Sequence, residues 1–257
     1  MTLIRPAKIE TALLYQDYKP FAYAYFVDRL KLVFGDDIPV TLGGHQDGSF
    51  GIINAGGIII KISQNQGPLG QAGFQGALSS SYTKLEQPDA EKTVQSHCKN
   101  IFVTVGGDSV LLPDLQPGSQ SHEMLAMVAP PEEVPGVVLF SNRVHIARLV
   151  VSQLIALNKP DLIHWCQSDQ VLKPEQMSPA DDPRGMALQI HPSLFSSGVD
   201  ENGSQKIGFH AFGSEHVTGQ HVFVEETPFA LSGVIEVAND FIYSLTKSCE
   251  LPKSGSV

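Results

Sequence analysis

The chain has 257 residues, 42% hydrophobic and 17% charged, with 17 Lys and Arg against 27 Asp and Glu and a formal charge of −10. That apolar content excludes a disordered chain, and an acidic balance without a Lys/Arg cluster excludes the phosphate-neutralising surface that nucleic-acid binding requires. The most apolar segment, Gly51–Ile60, falls short of the about 20 residues needed to cross a bilayer, so no membrane association is expected.

From the N-terminus, Ala12–Tyr15 is short and apolar and predicts a buried strand. A helix is expected from near Pro20, which suits a first helical position because its missing N–H costs nothing there. Phe21, Ala24, Tyr25, Asp28, Leu32 and Val33 give that helix a 3.6-residue rhythm broken by one acid, and Gly35 ends it. Ser49–Asn54 and Gly57–Ser63 read as a hairpin turned at Ala55-Gly56. From Gln64 to Gln87 the chain is rich in Gly, Gln and Ser. It is either a long surface loop or a short helix of poor propensity, and a loop of that length inside a domain is often functional. Pro88–His97 predicts a short polar helix, and Ile101–Val105 a strand stopped by Gly106-Gly107.

Asp108–Pro135 holds Pro113, Pro117, Pro130, Pro131 and Pro135, so only short elements fit there. Ser141 or Asn142 can cap a helix running to about Asn158, apolar on most faces and so expected to be central. Asp161–Cys166 reads as a strand, Gln167–Arg184 as a polar loop, and Met186–Ile190 as another strand. Asp200-Glu201-Asn202-Gly203 signals a turn before the strand Lys206–Phe209. Val222–Val224 is a further short strand, and Thr227-Pro228-Phe229 opens a last amphipathic helix through Leu231, Val234, Ile235, Ala238, Phe241, Ile242 and Leu245.

Strands and helices intersperse without strict β-α-β alternation, so the fold class expected is α+β: a mixed sheet of several strands packed by two long helices, with long Gly/Pro-rich loops. The domain organisation is one α+β domain over 1–250, or two similar α/β halves breaking near 107–140, with a frayed tail over 251–257. Cys98, Cys166 and Cys249 are widely separated, with no C-x-x-C pair, and Met1–Pro20 holds no apolar stretch of signal-peptide length. The expectation is an acidic cytoplasmic protein with free thiols.

Between Lys206 and Leu245, Gly208-Phe209 with Gly213 on a strand-turn, the acidic Glu225-Glu226 and a closing amphipathic helix resemble a bacterial domain family of unknown function. His97–Val105 and Asp161–Trp165 are similar to that family's two central strands. The resemblance spans roughly Ala12 to Leu245. It implies an α+β fold and an accessory or interaction role, and it carries over no catalytic residue.

His164 and Cys166 are the candidate catalytic residues. Residues two apart on a strand point to one face, so the imidazole could reach the thiol, and Trp165 would face the other way. A buried structural Cys is the alternative. His210, Glu215, His216 and His221 are the candidate metal ligands, since three imidazoles and a carboxylate around one turn could hold Zn²⁺. Their spacing matches no zinc motif, so no bound metal is expected. Gly106-Gly107-Asp108-Ser109 lacks the Lys-Ser/Thr ending of a phosphate loop, and Gly43-Gly44 and Gly56-Gly57 read as strand-end turns, so no cofactor is expected. Two functions stay open. One is a non-enzymatic binding or accessory protein with a protein partner. The other is a small-molecule enzyme or metal-binding protein with a site near His164 and Cys166 or near His210, His216 and His221. An exposed apolar patch would favour the first, and convergent polar groups in an enclosed pocket the second.

Overall fold

A computed structural model describes residues 8–36, 38–46, 50–106, 136–177, 191–214, 221–230, 233–238 and 240–241. Strand β1 (Lys8–Tyr15) is the axis of the main sheet. It pairs along its whole length with β5 (Lys99–Gly106), and on its other side with β6 (Leu162–Trp165). Ile9, Leu13 and Tyr15 enter one hydrophobic core, while Ala12 and Leu14 enter another on the opposite face. Burial on both faces is why these three strands read as continuous apolar runs.

The seven strands lie in the order β2-β3-β4-β5-β1-β6-β7, with every neighbouring pair antiparallel. The expected central strands Ile101–Val105 and Leu162–Cys166 are thus interior. Strands β3 (Phe50–Ala55) and β4 (Ile58–Asn65) form the expected hairpin, with the turn one residue later at Gly56-Gly57. Both turn glycines have positive φ, 59° and 86°, the two-residue geometry that matches strand twist. Strand β2 (Val40–Gln46) was not expected. Gly43 and Gly44 lie inside it, where the register slips between Leu42 and Gly44, so they form a bulge rather than a strand-end turn. Strand β7 (Gln170–Leu172), also unexpected, falls within the segment read as a polar loop.

Helix α1 (Tyr23–Phe34) begins later than Pro20 suggests. The amide of Gln64 accepts from Phe21 N–H at 3.1 Å and donates to Phe21 C=O at 2.9 Å, holding that residue outside the helix. The buried face also differs from the expected stripe: Tyr23, Phe26, Val27, Leu30 and Phe34 face the sheet, while Leu32 is 86% and Tyr25 53% exposed. Both sets have helical spacing, and the core takes the one with the greater aromatic bulk.

Helix α5 (Gly136–Leu157) shares that face of the sheet, touching β1, β5 and α1. It starts before Ser141 and Asn142, which lie within it instead of capping it. Of the second helix expected, from Leu231 to Leu245, the described residues 233–238 and 240–241 are helical. The segment read as loop or weak helix is largely helical: a 3₁₀ turn (Gln71–Phe74), α2 (Gln75–Ser79) and α3 (Ser81–Glu86). Helix α4 (Ala90–Ser96) follows as expected. Phe74, Ala77, Ala90 and Val94 cover the sheet's other face through Ala12, Leu14, Leu162 and Val171.

A second sheet, ordered β10-β9-β8, comprises β8 (His191–Phe195), β9 (Ile207–Phe212) and β10 (Val222–Thr227). The expected strand Met186–Ile190 and the proline-rich 108–135 lie outside the described residues. Asp200 makes the expected turn, its Oδ1 accepting from Asn202 N–H and Ser204 N–H. Phe209 and Ala211 join the larger core, to which Leu194, Val222 and Val224 also pack. Among the described residues, no helix is long and apolar enough to cross a membrane.

Candidate functional site

His164 lies on β6 with 6% exposure, and its ring centroid stands 4.8 Å from that of Phe74. Its neighbours Ile163 and Trp165 point into the opposite core, where Trp165 is wholly buried. Cys166 follows the strand and returns to the His164 face, with Sγ 3.7 Å from Nδ1. The expected pair therefore meets.

The third group was not read from the sequence. Asp169, at φ +49°, is the described non-glycine residue with positive φ, a conformation Asp tolerates at modest cost. The turn brings its Oδ1 to 2.8 Å from His164 Nε2. The order is thiol, imidazole, carboxylate, the topology of a nucleophile, its base and an orienting acid. A Cβ at Gly76 would stand 1.9 Å from Asp169 Oδ2, so the carboxylate lies directly against the start of α2. The signal available in the sequence was Ser168-Asp169 after an apolar strand, a turn pair common enough to carry no functional meaning alone.

Asp169 also holds a second imidazole. Its main-chain carbonyl accepts from His191 Nδ1–H at 2.9 Å, and His191 Nε2 stands 2.5 Å from Ser80 Oγ. The carbonyl can only accept, so in the neutral ring Nε2 keeps its lone pair and the Ser80 hydroxyl donates to it. Ser80 Oγ in turn accepts from Thr83 N–H at 3.4 Å, capping α3. Asp169 thus joins β6, β8, α2 and α3 at one point.

The electrostatics oppose thiol chemistry. Burial, reinforced by the Glu10 and Asp169 carboxylates, pushes the Cys166 thiol up to about 12. Activated cysteines sit instead in electropositive surroundings that lower the pKa. Cys166 near neutral pH is a protonated thiol packed against an oriented imidazole.

The histidines of the second sheet lie on its outer face. His210 Nδ1 is 3.1 Å from His221 Nε2, so one ring donates to the other. Glu215 and His216 lie outside the described residues. Among the described residues, no group of three or more His, Cys, Asp or Glu side chains is placed to hold a metal ion. What surrounds His210 is aromatic: Phe195 at 5.2 Å, Phe223 stacked at 5.7 Å and Phe212 at 6.1 Å between centroids. Phe212 is 49% and Phe223 50% exposed. Gly208 lets Phe195 lie flat on the sheet, since a Cβ there would meet the ring at 2.5 Å. The sequence marked these histidines but not the phenylalanines, whose alternation with Phe209 and Ala211 was open to either face.

No protein-family model matches this chain, and no curated protein or solved structure does either.

Proposed function

We propose that the protein is a binding or accessory protein that engages a protein partner through the outer face of the second sheet. The observation that carries this reading is the contiguous, half-exposed set of rings formed by Phe195, His210, Phe212, His221 and Phe223. The inner residues of the same strands, Phe209 and Ala211, are fully buried, so the sheet is anchored on one side and presents aromatic side chains on the other. Aromatic residues dominate binding energetics at protein interfaces because they offer large, rigid apolar area at low entropic cost. An antiparallel sheet with one solvated face normally alternates apolar-in with polar-out, and here the outward Phe195, Phe212 and Phe223 break that rule.

The test is affinity capture from the source cells with wild-type protein and with Phe212→Ser/Phe223→Ser. The expected result is a discrete species retained by the wild type and reduced at least about tenfold with the variant, the loss of two interface anchors at about 1–2 kcal/mol each. Identical captured sets would contradict the proposal.

A further inference from the structure

We propose that His97 is a proton-sensitive latch. Neutral, it holds the segment Leu69–Ser79 on the main sheet; protonated, it releases that strap and uncovers the sheet face and the His164 ring beneath. This goes beyond the binding face and does not depend on it.

Among the described residues three histidines are buried, His97, His164 and His191, and their partners treat an added proton differently. His164 Nε2 meets the Asp169 carboxylate at 2.8 Å, an acceptor that suits a cation. His191 Nε2 meets the Ser80 hydroxyl, which can turn from donor to acceptor. His97 has no such outlet. Its Nδ1–H donates to Val94 C=O at 2.6 Å, and its Nε2 accepts from Leu69 N–H at 2.8 Å. A carbonyl only accepts and a peptide N–H only donates, so one tautomer of the neutral ring satisfies both. A proton added at Nε2 would point at the Leu69 N–H and leave two donors facing each other. The ring is 3% exposed, so water does not take over either bond while the strap is in place.

Among the described residues, neither ring nitrogen of His97 meets a carboxylate that would hold a cation. Residues 65–79 carry no titratable side chain. On α4, Glu91 and Lys92 are exposed. Cys98, just before β5, is exposed, Lys99 of β5 pairs with Asp17, and Tyr15 of β1 turns into the opposite core. On β6, His164 stands behind the Phe74 ring, whose centroid is 6.2 Å from that of His97 and 4.8 Å from that of His164. The bond to Leu69 lies at the head of the strap, and just upstream Asn100 Nδ2–H donates to Gly67 C=O at 2.8 Å, which fixes a hinge. Beyond Leu69 the strap is held by Phe74 and Ala77, buried against Ala12, Leu14, Leu162 and Val171 in the smaller of the two cores. Gly70, Gly73 and Gly76 weaken its short helices. A segment with few buried side chains opens locally before the rest of the fold, and the His97 bond sets how readily it does so.

The experiment is hydrogen exchange of the full wild-type chain read by peptide mass spectrometry, with the pH dependence of intrinsic exchange divided out. The closed strap admits only the neutral ring, and in the open state an imidazole titrates near its ordinary value of about 6.5. The open state thus binds more protons, and opening is favoured about 30-fold on going from about pH 7.5 to about pH 5. Protection of 69–79 is expected to fall by that factor, while protection of Ile101–Val105 on β5 stays within about twofold. Ring nitrogen shifts read by NMR on the same protein should show His97 as the neutral Nδ1–H tautomer wherever the strap is still protected. His97→Gln, checked for folding by its thermal unfolding, has an amide that both accepts and donates but does not titrate, so its strap should lose the pH response. Unchanged protection of 69–79 in the wild type overturns the proposal, and so does an equal fall on β5. A His97 ring protonated within a protected strap, or a His97→Gln strap that keeps the full response, overturns it as well. None of these outcomes touches the binding face, whose test reads Phe212 and Phe223.

Discussion

The Asp169 carboxylate rests on the backbone of Gly76, with Oδ2 only 1.9 Å from where a Cβ would be. One absent methyl group therefore couples helix α2 to the turn that orients His164, His191 and, through His191, Ser80.

Gly76→Ala should displace that carboxylate and break its 2.8 Å bond to His164. The Asp169 side chain is 44% exposed, so water partly replaces the lost hydrogen bond and the steric term dominates. The expected loss is about 1–3 kcal/mol in urea unfolding, the usual cost of overpacking. A loss below about 0.5 kcal/mol, within the scatter of ordinary surface changes, would show that the turn relaxes freely.

The Cys166 thiol provides a pH test with a definite sign. Its pKa is raised from 9.0 to about 12, chiefly by burial, so the folded state keeps a proton that the unfolded chain releases. Fewer protons bound in the unfolded state mean that stability falls with rising pH. The contribution is complete below about 9 and is lost between about 9 and about 12. Cys166→Ala should flatten that alkaline decline, and iodoacetamide at pH 7 should modify exposed Cys98 at least about tenfold faster than Cys166. Equal rates would show an accessible thiolate.

Helix α1 tests which face was correctly read. Phe26→Ala, at a residue with 0% exposure, should cost about 3–5 kcal/mol, whereas Leu32→Ser, at 86% exposure, should stay within about 0.5 kcal/mol. Comparable losses would mean that the helix is turned the other way.

The central strands, the hairpin and the α+β class were legible because each rests on local signals: continuous apolar runs, paired glycines and helical periodicity. The faces of α1 and β9 were not, because each offers two plausible stripes and only the neighbouring elements choose between them. Gln64 moved the start of α1 by binding Phe21 from 43 positions away, a contact no local pattern encodes. His164 and Cys166 could be paired from strand geometry, but Asp169 enters through a turn conformation, and Ser80 and His191 lie 111 residues apart. Such a grouping exists only once the helices at 75–86 and the second sheet have come together.

The most direct test of the account places a photoreactive phenylalanine analogue at Phe223, and at Phe212 in a second variant, and irradiates the source cells. The same analogue at Leu32, exposed on α1 and outside the second sheet, is the control. The expected result is one discrete crosslinked species shared by positions 212 and 223 and absent at 32. No adduct at either phenylalanine, or the same adducts at all three positions, would contradict the claim that this aromatic face is where the protein works.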